Sequence, residues 1–151
     1  MSNLRKEYHL LQIEDYQGQR LFHLKFATYT IGRDPNVAIQ VDDPNVSRHQ
    51  ALLLRFPSGK DGYAFRVVDG DADGTASRNG TLVNGQPCRS KTLEPGDTIQ
   101  IGTITSISYL IKSWTEEEFQ RHLGQEEVSY HPIKCKIVDP KGTLVVSDTI
   151  L

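Results

Sequence analysis

Cysteine is scarce in this chain. Cys88 and Cys135 are the only two in 151 residues, too few for a disulfide framework, and they read as unpaired thiols. Long apolar runs are missing as well. With 37% apolar residues, neither end holds a stretch that reads as a membrane span or a signal peptide. Together with the short polar start Met1-Ser2-Asn3-Leu4-Arg5-Lys6, this points to a cytoplasmic protein. Positive charge is not in excess either. A formal net charge of −2 argues against broad nucleic-acid affinity driven by phosphate neutralisation, so any anion binding has to be local. No Ser/His/Asp, Cys/His or paired-carboxylate arrangement is legible, and the chain reads as a protein that is not an enzyme. His122, His131 and Cys135 match no zinc spacing. Asp69-Gly70-Asp71-Ala72-Asp73-Gly74 imitates the start of a calcium loop, yet its twelfth position falls on Gly80, where a bidentate glutamate is required. It reads as an acidic surface loop, and neither metal nor cofactor is expected.

What the sequence does have is many short β-type stretches punctuated by Gly, Asn, Asp and Pro. Tyr8–Ile13 and Leu21–Leu24 flank a Gly-containing break and read as a hairpin. Phe26–Ile31 stops at Gly32-Arg33-Asp34-Pro35, and Ala38–Val41 is followed by the turn Asp42-Asp43-Pro44-Asn45. Ala51–Phe56, Tyr63–Asp69, Thr98–Ile101 and Thr103–Ile111 complete the series. No helical period occurs before Ser113. The pattern predicts an all-β sandwich or barrel over residues 7–112. Residues 113–151 form a C-terminal extension too small for a second domain. In it the spacing predicts a helix over about 114–123, opened by a capping box of Ser113 with Glu116 and stopped at Gly124, then a hairpin over 133–147. The extension is expected to dock on the sandwich or to be partly disordered.

The densest signal is Ser77-Arg78-Asn79-Gly80-Thr81-Leu82-Val83-Asn84-Gly85, with two Asn-Gly pairs five residues apart. Asn-Gly is a strong turn signal because both residues tolerate positive φ. Two such turns so close together leave little room for regular structure, and the donors of the first are expected to face a ligand. Arginines recur at strand mouths in Gly32-Arg33, Ser47-Arg48 and Arg78-Asn79. One alone reads as a solvated charge; three on the loops of a sandwich read as an anion site at one end.

In order and separation, Gly32-Arg33, Val46-Ser47-Arg48, Ser77-Arg78-Asn79-Gly80-Thr81, Asn84-Gly85 and the Leu93-x-x-Gly96-Asp97 stretch resemble the forkhead-associated (FHA) family, over roughly Tyr8 to Ile111. The resemblance implies a sandwich of about eleven strands whose apical loops bind phosphothreonine peptides. It assigns phosphate contacts to Arg33 and Ser47 and places Arg48 and Arg78 where side chains reach the phosphate or peptide. It has Asn79 hold the peptide backbone. Gly32, Gly80, Thr81 and Asn84 become supports. It implies an adaptor in Ser/Thr kinase signalling whose partner is a phosphothreonine-containing protein, with neither nucleic acid nor membrane. One departure stands out. The family commonly reads Ser-x-x-His, whereas three residues after Ser47 stands Gln50, with His49 one earlier. Gln50 can donate and accept like a neutral imidazole and preserve the brace; the alternatives are a shifted loop or a weakened site. A weakened site would favour a phosphate-independent scaffold on the same fold. Thr143 and Thr149 lie near the C-terminal end, where a phosphorylated tail would allow self-association.

Overall fold

The computed structural model describes residues 4–60 and 62–123, together with the backbone of 136–138 and 144–146. Gly124, His131, Cys135, Thr143 and Thr149, and the parts of the 133–147 hairpin outside those two strands, lie beyond the described residues.

Two sheets carry the fold. Strands β1 (Lys6–Asp15), β2 (Gly18–His23), β7 (Leu82–Val83), β8 (Gln86–Pro87), β10 (Thr98–Ile101) and β11 (Thr105–Trp114) form a six-stranded sheet in the order β2-β1-β11-β10-β7-β8. Strands β3 (Thr28–Gly32), β4 (Ile39–Gln40), β5 (Ala51–Ser58), β6 (Gly62–Asp69) and β9 (Ser90–Thr92) form a five-stranded sheet in the order β4-β3-β5-β6-β9. All pairings are antiparallel except β3 with β4. A β-strand turns alternate side chains to opposite faces. That period selects the core: Leu11 and Ile13, Tyr29 and Ile31, Ala51 and Leu53, Phe65 and Val67, Ile99 and Ile101, Ile107 and Tyr109 are all buried between the sheets. Each large apolar side chain so buried contributes roughly 1.5–3 kcal/mol.

Two expectations from the sequence need correction. The Leu82–Val83 segment does form regular structure. It is β7, paired with β10 on one side and with β8 on the other, through a tight turn in which Asn84 (φ 52°) and Gly85 (φ 82°) both have positive φ. The helix begins later than Ser113. β11 stays paired with β1 as far as Trp114 opposite Lys6, so Ser113 is still in the ladder. The cap is Thr115, whose Oγ1 accepts the Glu118 N–H at 3.2 Å while the Glu118 carboxylate accepts the Thr115 N–H at 2.9 Å. Helix α1 (Glu116–Leu123) follows. Its Phe119 and Leu123 cover Tyr8 and Leu10 on the outer face of the six-stranded sheet, with Phe119 stacked on Tyr8 at 4.5 Å. Strands β12 (Lys136–Val138) and β13 (Leu144–Val146) pair antiparallel.

Buried carboxylates lock the turns. Asp43, 1% exposed, accepts the N–H groups of Thr103 and Ile104 and the Thr105 hydroxyl on Oδ2, and the Asn45 N–H on Oδ1. Burial pushes its carboxyl up, but those donors outweigh burial and hold it below the usual carboxylate range. Asp15 is held down in the same way, against its own burial, by Arg20 and the N–H groups of Asp42 and Gln17. Asp97 is held down by Lys91, the Glu94 N–H and Asn84. Carboxylates depressed in the folded state stabilise it above their unfolded pKa of about 3.9, and that stabilisation is lost as pH falls from there through their folded values. The urea midpoint is therefore expected to be flat from pH 7 to 5 and to drop steeply below about 4. An Asp43→Asn variant, weaker at pH 7, should show a smaller acid drop. A midpoint unchanged at pH 3 would contradict this role.

Candidate binding site at the loop tip

Four loops, 33–38, 41–50, 70–81 and 102–104, are tied together at one end of the sandwich. The tie begins at Gly32, the last residue of β3. A Cβ built there would meet the Arg48 carbonyl oxygen at 1.9 Å and its carbonyl carbon at 2.7 Å. Only a residue without a side chain lets the Ser47-Arg48 backbone pass so close. The Arg33 N–H donates to the Ser47 carbonyl at 3.1 Å, and the Asp34 N–H to the Arg48 carbonyl at 3.3 Å. The Arg33 guanidinium is half-buried and donates through Nε to the Val46 carbonyl at 3.0 Å. That bond fixes the plane of the guanidinium and leaves both terminal nitrogens for an anion.

Ser47 is held from two sides. Its N–H donates to the Gln50 Oε1 at 2.9 Å, and its Oγ accepts the Arg78 N–H at 2.8 Å. A hydroxyl that accepts from a backbone amide keeps its own proton for a second acceptor. Asn79 joins the next loop, donating from Nδ2 to the Asn45 carbonyl at 2.9 Å. Asn45 in turn donates from its side chain to the Thr103 hydroxyl.

Behind this line lies Gln50, fully buried. Its Nε2 donates to the Gly80 carbonyl at 2.9 Å and to Thr81 Oγ1 at 3.0 Å, while Oε1 takes the Ser47 amide. Every polar atom of that side chain is thus partnered, and it bridges the 41–50 and 70–81 loops. Thr81 Oγ1 passes its own proton to Asp69 Oδ1 at 2.6 Å, and Ser77 Oγ donates to the same oxygen at 2.5 Å. The Ser77 hydroxyl also accepts the Gly80 N–H at 3.0 Å.

The structure therefore brings Gly32, Arg33, Ser47, Arg48, Gln50, Arg78, Asn79, Gly80 and Thr81 together. Asn84 belongs to a different turn, where its side chain binds Asp97 and the Thr98 N–H. Sequence reasoning missed three residues. Asp69 is no mere surface acid: it fastens Ser77 and Thr81. Asp43 and Asn45, read as simple turn residues, link the 41–50 loop to the 102–104 turn. The only sequence signal for them was Asp-Pro-Asn turn chemistry.

The charges on this tip are uneven. Arg48 and Arg78 are exposed, and among the described residues their guanidinium groups make no hydrogen bond or ion pair. His49 Nε2 lies 3.9 Å from an Asp34 carboxylate oxygen, a long contact with the His49 ring open to solvent. Three guanidinium groups with unfilled donors, one serine hydroxyl and a cross-braced loop frame suit a multiply charged oxyanion.

A model of the FHA domain family matches residues 29–102, the span that holds the 33–38, 41–50 and 70–81 loops and ends at the start of the 102–104 turn. The chain belongs to the FHA family. The Slr1951 protein from Synechocystis sp. is 38% identical, with a TM-score of 0.65 over 68% of this chain and 96% of that one. An FHA domain from a structural and functional analysis of phosphothreonine-dependent FHA domain interactions is 27% identical, with a TM-score of 0.55 over 68% of this chain and 95% of that one. The oxoglutarate dehydrogenase inhibitor of Corynebacterium diphtheriae is 43% identical over 81 residues, covering 54% of this chain and 50% of the inhibitor. The chain spans half the length or less of the curated relatives it matches first. Its two FHA sheets correspond to the sandwich read from the sequence, and among the described residues no helix is long and apolar enough to cross a membrane.

Proposed function

We propose that this FHA chain is a phosphothreonine-dependent protein-interaction module acting as an adaptor in Ser/Thr kinase signalling. The observation that carries the reading is the Arg33–Ser47–Arg78 frame. Arg33 presents two terminal nitrogens, Ser47 keeps a free hydroxyl proton, and the Arg78 amide orients that hydroxyl. A phosphothreonine brings about −1.5 to −2 charges and three acceptor oxygens. Charge-assisted hydrogen bonds contribute roughly 1.5–3 kcal/mol each, so three of them approach the ~8 kcal/mol of micromolar binding. Asn79, fixed to Asn45 through one amide proton, holds the peptide backbone, while Arg48 and Arg78 contact the phosphate or its flanks.

Because the frame is braced by side chains before any ligand arrives, little ordering entropy is left to lose on binding. Gln50 fills the bracing position with complete hydrogen bonding, which supports a working site over a phosphate-independent scaffold. In this reading the chemistry is recognition, with the Ser77 and Thr81 hydroxyls committed to Asp69 as braces, and the protein acts in the cytoplasm on a phosphorylated partner. Regulatory names among the relatives, such as the oxoglutarate dehydrogenase inhibitor, support a binding role.

The test is calorimetric titration with matched phosphorylated and unphosphorylated peptides chosen from a degenerate phosphothreonine library. Micromolar binding of the phosphorylated member, with at least ~100-fold weaker binding of its twin, is the expected result. Equal affinity for both would remove the reading.

A further inference from the structure

Antiparallel sheets with one packed face ordinarily present polar residues on the other. Here both outer faces carry apolar side chains. On the six-stranded sheet Tyr8 and Leu10 are covered by α1. On the five-stranded sheet, the alternation that sends Ala51 and Leu53 inwards turns Leu52, Leu54 and Phe56 outwards, all half-buried. Leu52 stands opposite Val68 of β6 on one side and Thr30 of β3 on the other. Among the described residues, neither hydrophobic cluster includes Leu52, Leu54, Phe56 or Val68. Arg66, which could have screened them, extends the other way to Ser90 and Thr92 at 2.6 and 2.8 Å.

The chain contains a second apolar element in search of a surface. In β12 and β13, Ile137 stands opposite Val145 and Val138 opposite Leu144. A two-stranded hairpin is marginal in water unless it packs on something. β12 lies beside β3, the strand next to β5. Residues 124–135 join Leu123 to this hairpin. At about 3.3 Å per extended residue they reach roughly 40 Å, well beyond the ~10 Å between packed sheets.

We propose that the β12–β13 hairpin docks, within the same chain, on the outer face of the five-stranded sheet over Leu52, Leu54 and Val68. Helix α1 and the hairpin then close the two outer faces of one sandwich. Docking there would clamp β3 and β5, the strands that end in Gly32 and begin after Gln50, so the extension also stiffens the frame of the loop tip.

Hydrogen exchange on the full chain, followed by NMR, tests the docking without any phosphopeptide. Backbone amides of 136–138 and 144–146 are expected to exchange at least about tenfold more slowly than in an unstructured chain. A Leu52→Thr/Leu54→Thr double variant, which removes the apolar side chains but puts strand-favouring β-branched residues in their place, should abolish that protection while the Leu11 and Ile107 amides stay slow. Ile137→Asp should abolish it without touching the sandwich at all. Unstructured rates in the wild type would overturn the proposal, as would protection that survives both variants. Protection that grows with protein concentration, alongside a dimer in sedimentation, would also overturn it and give the face to a second copy.

Discussion

Replacing Arg33 with alanine is expected to weaken binding of a phosphothreonine peptide by about 100-fold or more, because two charge-assisted hydrogen bonds of roughly 1.5–3 kcal/mol each are removed. Folding should suffer far less. The substitution deletes one bond, from Nε to the Val46 carbonyl, at a side chain already half open to solvent. A melting temperature within a few degrees of wild type would separate loss of recognition from loss of structure. Arg33→Lys refines the result. It keeps the charge but lacks both the Nε tether and the planar fork, so it should recover only part of the affinity. Calorimetry on the three proteins with one peptide decides the matter. Wild-type affinity in Arg33→Ala would place the phosphate elsewhere on the tip.

Gly32→Ala is expected to have the largest effect on stability, and to take binding with it. The new methyl would sit 1.9 Å from the Arg48 carbonyl oxygen and 3.1 Å from that of Ser47. Both neighbours are backbone, so no rotamer change relieves the clash, and the 41–50 loop has to move away from β3. Overpacking costs typically 1–3 kcal/mol when side chains can adjust. Here a cost of about 3 kcal/mol or more is expected, which lowers the melting temperature of a domain this size by roughly 10 °C. Moving that loop also breaks the Arg33 and Asp34 amide bonds to Ser47 and Arg48. A thermal melt together with peptide titration checks both halves. Normal stability with normal affinity would mean that the close approach at Gly32 is not needed.

Most of the frame was legible because its signals are local. Asn84-Gly85 announces a positive-φ turn in two residues, and the turn is there. Leu93-x-x-Gly96-Asp97 is legible for a similar reason: Gly96 takes positive φ, and Asp97 turns back to the Glu94 N–H. The arginines at strand mouths announced themselves by repetition. What sequence could not reveal was the cross-loop bracing. Asp43 meets Thr103, Ile104 and Thr105, some sixty positions further along the chain, and no spacing rule reaches that far. Asp69 was absorbed into a calcium-loop pattern because its neighbours are acidic, while its partners Ser77 and Thr81 lie beyond the Asp69–Gly74 stretch that imitates one. The helix start was misplaced because both Ser113 and Thr115 head an acceptable capping sequence. The choice between them was made by β1, which holds the chain extended as far as Trp114.

Gln50 has one more consequence, concerning acidity. An imidazole between two loops gains a proton near pH 6.5 and with it exchanges an acceptor for a donor, which would set the Ser47 amide against a like group. A carboxamide has no such second state. The coupling between the 41–50 and 70–81 loops therefore passes through a group that does not titrate, and its polarity is the same in an acidified compartment as in a neutral one.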